Sequence, residues 1–167
     1  MSLQDRMEAS LRHPPTATVV CEGKAPLRAV FLEDDPDMLK IILESWSLVR
    51  EPLRPTVAVT DDPDWALAFI LKQPERTVLI TDIFMPREDG REFARRVREV
   101  APETAIVFMT AAAPDRVNGS SQIADETVYK GTPNYLNNLL LLVPILSMQR
   151  CLELTNARMR DRRLTIK

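Results

Sequence analysis

The sequence has a single histidine, His13, set in a proline-rich stretch. One imidazole cannot build the common zinc centres, and the usual Ser-His-Asp and Cys-His arrangements need it beside a nucleophile. Cysteine is nearly as scarce: Cys21 and Cys151 lie far apart, without metal-ligand or redox spacing, which points to a reducing, cytosolic setting. Long hydrophobic runs are missing too. The longest, from Leu139 to Leu146 with Pro144 inside it, is far short of the roughly 20 residues of a membrane-spanning helix. Residues 1–15 lack the apolar stretch of a signal peptide. A formal net charge of -2 and a pI near 5.5 give no global attraction to nucleic acid or anionic membrane. What remains is a soluble chain of 167 residues, 45% hydrophobic, with room for one domain plus appendages and a function to be sought in a local site.

Residues 1–26 carry His13-Pro14-Pro15 and scattered charges with no sustained period, and read as a mobile leader. From residue 27 onward the pattern is regular, and a domain is predicted over 27–143. Ala29-Val30-Phe31-Leu32 is a first strand, followed by the acidic cluster Glu33-Asp34-Asp35 and a helix with Met38, Ile41, Ile42 and Trp46 on one face. Thr56-Val57-Ala58-Val59-Thr60 is a second strand, after which Asp61-Asp62-Pro63 opens another helix. A third strand runs from Val78 to Asp82, a fourth from Ala105 to Met109 and a fifth from Thr127 to Tyr129. The helix between the last two is expected to be short or irregular, because Asn118-Gly119-Ser120-Ser121 is a poor helix interior. Beyond Pro133 comes a long apolar helix, which Pro144 should kink or interrupt. Strands alternating with helices imply right-handed crossovers and a parallel sheet covered on both faces.

In such a sheet ligands collect beyond the carboxyl ends of the strands. There the first strand delivers Glu33 and Asp34, the third Asp82, the fourth Thr110 and the fifth Lys130. Clustered carboxylates repel one another, and a hard divalent cation with oxygen ligands, Mg²⁺ above all, relieves this. A lysine and a hydroxyl opposite suit an incoming phosphoryl group.

Taken in order, Glu33-Asp34, the run Asp82-Ile83-Phe84-Met85-Pro86-Arg87-Glu88-Asp89-Gly90, Thr110-Ala111 and Lys130 resemble the receiver domain of two-component response regulators, the CheY-like superfamily. The resemblance implies a flavodoxin-like doubly wound α/β fold, a five-stranded parallel sheet in the order 2-1-3-4-5, here with an extended C-terminal helix. It implies that Asp82 accepts a phosphoryl group from a sensor histidine kinase or phosphotransfer protein. It also implies that Asp34, Asp82 and the backbone carbonyl of Phe84 bind Mg²⁺, with Glu33 acting through a bound water. Lys130 would pair with a phosphoryl oxygen and Thr110 would report its presence, with Asp35 as an auxiliary acid.

Two departures bear on signalling. Gly131 follows Lys130 where family members usually have proline, and Thr127 stands where many place an aromatic switch residue, with Tyr129 close by. Two rival readings are a receiver-like interaction or dimerisation module that is not phosphorylated, and a hydrolase of the aspartyl-phosphate type. The latter needs a second acid two residues past its nucleophile, and Phe84 fills that place. In the extension over 144–167, Ile145, Met148, Leu152, Thr155 and Met159 recur at three and four residue steps. That pattern suits either core packing or a homodimer seam. No DNA-reading motif follows, so an output domain is expected to be absent or separate, and the basic end from Arg158 to Lys167 reads as a solvated helix terminus.

Overall fold

The computed structural model describes residues 18–51, 53–113 and 122–164. They form β1 (Val19–Cys21), β2 (Arg28–Leu32), α1 (Pro36–Ser47), β3 (Thr56–Thr60), α2 (Pro63–Leu71), a single 3-10 turn (Pro74–Arg76), β4 (Thr77–Thr81), α3 (Gly90–Val100), β5 (Ala105–Thr110), β6 (Glu126–Tyr129) and α4 (Tyr135–Leu164). The sheet order is β1-β3-β2-β4-β5-β6, parallel throughout except for β1, which pairs antiparallel with β3. Without β1, the order is the expected doubly wound one.

The central strands are buried on both faces, which is why they read as unbroken apolar runs. Their side chains alternate between two cores. Val30, Leu32 and Leu79 pack with Trp65, Phe69 and Ile70 of α2 and Phe93 and Val97 of α3. Ala29, Phe31, Val78 and Ile80 pack with Met38 and Ile42 of α1 and Leu136, Leu139 and Val143 of α4. Helices α1 and α2 start on acids: Asp35 accepts from the Asp37 amide at 2.9 Å, and Asp62 from those of Asp64 and Trp65 at 2.9 and 3.0 Å. Each has proline in its first turn, where no amide is needed.

Three expectations need correction or completion. The sheet has six strands rather than five, because Val19–Cys21 joins β3 through the pairs Val19 to Val59, Val20 to Ala58 and Cys21 to Val57. Those residues had been assigned to the leader; residues 1–17 lie outside the described set. Pro144 does not interrupt the last helix, which runs unbroken from Tyr135 to Leu164. Leu139, Leu140, Val143 and Leu146 are buried around it, so packing offsets the lost amide. The irregular helix expected near 118–121 falls largely outside the described residues.

Tyr135–Ala157 is long and apolar enough to cross a membrane by length and composition, with mean hydropathy 1.2. In its first half Leu136, Leu139, Leu140, Val143 and Leu146 are buried in the core.

Candidate functional site

The carboxyl ends of β2, β4, β5 and β6 build the site. Backbone bonds fix the chain just past each strand: the Glu33 amide donates to the Thr60 carbonyl at 3.0 Å, that of Asp82 to Leu32 at 3.2 Å and that of Lys130 to Thr110 at 2.8 Å. Three charged side chains then meet. The Lys130 ammonium donates to Asp82 Oδ2 at 2.6 Å and to Glu33 Oε2 at 2.8 Å. The other oxygen of Asp82 accepts from the Phe84 amide at 3.3 Å, and Glu33 Oε1 from the Asp35 amide at 3.2 Å.

Glu33 is the most enclosed member, its side chain 1% exposed against 15% for Asp82 and 14% for Lys130. Burial raises its carboxyl above the ordinary range, an effect that the hydrogen bond and charge of Lys130 only partly oppose. Burial also works to lower the Lys130 ammonium, but the hydrogen bonds and charges of Asp82 and Glu33 outweigh it and hold the ammonium above its usual value.

Asp34 does not join this triad. It is exposed and lines a cavity of about 100 Å³ with Asp61, Pro63, Met85, Pro86, Arg87 and Glu88. Among the described residues no group of three or more Asp, Glu, His or Cys is placed to share a metal ion. The expected gathering of Glu33, Asp34 and Asp82 is therefore not assembled among the described residues: Lys130 bridges Glu33 and Asp82, and Asp34 faces outward. Mg²⁺ commonly takes one or two carboxylates and keeps several waters, so Asp34 and Asp82, just past β2 and β4, are the carboxylates that could hold it, together with the backbone carbonyl of Phe84. In the cavity that Asp34 lines, the buried Oδ1 of Asp61 has no hydrogen-bond partner among the described residues, while its Oδ2 faces the Arg87 guanidinium at 3.7 Å.

Thr110 is 1% exposed, and its hydroxyl oxygen accepts from the Ala112 amide at 3.1 Å. Tyr129 pairs with Thr110 in the sheet and Thr127 with Phe108. Tyr129 thus adjoins the hydroxyl in register, and its ring packs on the core that holds Trp65 and Phe93. Asp35 caps α1. Gly131 in place of proline does not keep Lys130 from the site: a turn closed by the Thr132 amide on the Tyr129 carbonyl at 3.1 Å carries the chain past it.

Two residues near the site escaped sequence reasoning. Asp61, read only as a helix opener, follows directly on β3 and could have been found by the strand-end rule. Tyr135, the first residue of α4, sits close enough to respond to the cluster. Burial raises its phenol, Lys130 works against this, and Glu33 and Asp35 add to it.

The model of the response regulator receiver domain family matches residues 30–139. The response regulator receiver protein CpdR of Brucella abortus is 32% identical over 114 residues, 68% of this chain and 90% of that protein. The transcriptional regulatory protein TrcR of Mycobacterium tuberculosis is 32% identical over 114 residues, 64% of this chain but only 40% of its own length. Among solved structures, a response regulator receiver domain protein from Clostridium thermocellum aligns with a TM-score of 0.61 at 18% identity, covering 75% of this chain and 98% of that one. The response regulator TrrA of Thermotoga maritima, solved in complex with Mg²⁺ and BeF, aligns with a TM-score of 0.58 at 24% identity, covering 72% and 98%. At these identities the structural matches speak for the fold.

Proposed function

Because this chain belongs to the response regulator receiver domain family, we propose that Asp82 is its phosphoryl acceptor and that a sensor histidine kinase or phosphotransfer protein in the cytoplasm is the donor. The observation that carries this reading is the 2.6 Å contact between the Lys130 ammonium and the Asp82 carboxylate, at the joint carboxyl end of β4 and β6. The transfer makes one bond and breaks one. A carboxylate oxygen of Asp82 attacks the phosphorus of a phosphohistidine, the phosphorus–nitrogen bond breaks, and the imidazole leaves with its electron pair. Lys130 then turns part of its hydrogen bonding to a phosphoryl oxygen, opposing charge where it accumulates. When bound, Mg²⁺ would be held by Asp34, Asp82 and the Phe84 carbonyl and supply further positive charge against the phosphoryl group. Thr110 keeps its hydroxyl proton free to donate, since the hydroxyl oxygen is what the Ala112 amide engages.

Incubation with a small phosphoryl donor and Mg²⁺ is expected to add one phosphoryl group, labile to hydroxylamine as an acyl phosphate is, on the peptide carrying Asp82. No label, or a label that resists hydroxylamine, overturns the reading.

The last helix supports a self-association step. Leu141, Ile145, Met148, Leu152 and Met159 are each at least half exposed, and with Thr155 they follow the four-three alternation of a coiled-coil seam. Sedimentation equilibrium is expected to show a dimer that Leu152→Glu dissociates. A wild-type monomer, both with and without phosphoryl donor, rules the seam out.

A further inference from the structure

At the opposite pole of the sheet, where β2, β3 and β4 begin, a cleft of about 390 Å³ opens between the approach to β2 and the end of α2. Its wall carries Arg28, Lys72 and Arg76 against a single acid, Glu22. Its floor is aromatic: Trp65 and Phe69 stack with centroids 5.3 Å apart, and the Arg28 guanidinium lies 3.7 Å above the Phe69 ring.

Arg28 stands apart from its peers. The other partly buried arginines, Arg54, Arg91, Arg96, Arg98 and Arg150, each donate to a carboxylate or a carbonyl. Among the described residues, Arg28 has neither a hydrogen bond nor an ion pair for its guanidinium. Burial lowers its pKa, and the charge of Glu22, without a hydrogen bond to the guanidinium, works to restore it. Nor do Lys72 and Arg76 have ion-pair partners there. A half-buried guanidinium with unmade hydrogen bonds, oriented by a ring and joined by two more cations, is an expensive arrangement unless an acceptor visits it.

We propose that this cleft binds a small phosphorylated ligand, its phosphoryl dianion gripped by Arg28 with Lys72 and Arg76 closing around it. Three cations against one carboxylate favour a dianion over a monoanion, and the planar fork of Arg28 matches two phosphoryl oxygens at once. The volume falls within the range of small-molecule sites. The cleft owes its shape in part to β1 and the segment that joins it to β2, since Val20, Glu22, Ala25 and Pro26 complete its rim.

The test is an amide NMR titration with inorganic phosphate above its second pKa, with acetate as the monoanionic control and no Mg²⁺ present. Omitting the metal keeps the outcome independent of Asp82. Saturable shifts are expected at Arg28, Thr56, Phe69 and Lys72, with acetate far weaker. Arg28→Gln should weaken binding about tenfold or more, the scale of a lost charge-assisted bidentate contact. The paired variant Lys72→Ala/Arg76→Ala, confined to exposed positions, should weaken it comparably without touching the core. Shifts that do not saturate, that acetate reproduces, or that persist unchanged in both folded variants overturn the site.

Discussion

Lys130→Ala is expected to slow phosphoryl transfer to Asp82 by about 10²- to 10³-fold, the usual loss when one preorganised donor facing developing charge is removed. The same change removes the one cation shared by Glu33 and Asp82. Glu33, 1% exposed, can then relieve itself only by taking up a proton. Its carboxyl is already raised in the folded wild type, so over the window from its ordinary value up to the raised one the folded state binds more protons than the unfolded state. Its contribution to stability is therefore full at low pH and is lost as pH rises through that window. In Lys130→Ala the window extends further upward. The variant's deficit against wild type should therefore widen as pH rises, by about 2–3 kcal/mol between pH 5 and pH 8, the cost of the Glu33 carboxylate left without its partner. Urea unfolding at the two pH values checks this. An equal deficit at both would mean that the pairing of Lys130 with Glu33 does not set the pH dependence.

Gly90→Ala should damage the site from a distance. Alanine is the better helix former by about 1 kcal/mol, and Gly90 is the first residue of α3, so propensity alone forecasts a gain. The structure forecasts the reverse. A Cβ at this position would run into the Asp82 carbonyl oxygen and come within 3.0 Å of Thr81 Oγ1, and the Gly90 amide is tied to the Ile83 carbonyl at 2.8 Å. Backbone cannot yield as a flexible side chain can. A net loss of about 2–3 kcal/mol is expected, equivalent to a fall in Tm of roughly 5–10 °C for a chain of this size. Labelling at Asp82 should fall with it, because the displaced backbone carries the proposed nucleophile. Unchanged or raised stability would show that the turn has room that the coordinates do not suggest.

The glycine that ends the run from Asp82 to Gly90 thus has a steric reason: it lets the start of α3 pass directly over the Asp82 peptide.

Much of the fold was legible because its central strands are buried on both faces, so Ala29–Leu32, Val78–Ile80 and Ala105–Met109 announce themselves as apolar runs bounded by polar ends. β1 escaped because three residues, between charged and polar neighbours, carry no measurable period. Pro144 misled because propensity speaks for the isolated helix, whereas α4 is held by the burial of Leu139, Leu140, Val143 and Leu146. At the site, strand order could forecast that Glu33, Asp82 and Lys130 converge, but not how adjacent acids divide their roles. Glu33 turns inward to Lys130, Asp34 outward beside Asp61, and Asp35 to the helix it caps. That division depends on side-chain direction, which neighbouring positions in a short loop do not encode.

The antiparallel ribbon at Val19–Cys21 has a bearing on how the molecule behaves in a crowd. Without it, the outward-facing amides and carbonyls of β3, those not engaged by β2, would be offered to any passing chain as a template for stacking one molecule against the next. With it, the flank on that side is, among the described residues, a mere three residues long, too brief to recruit a neighbour.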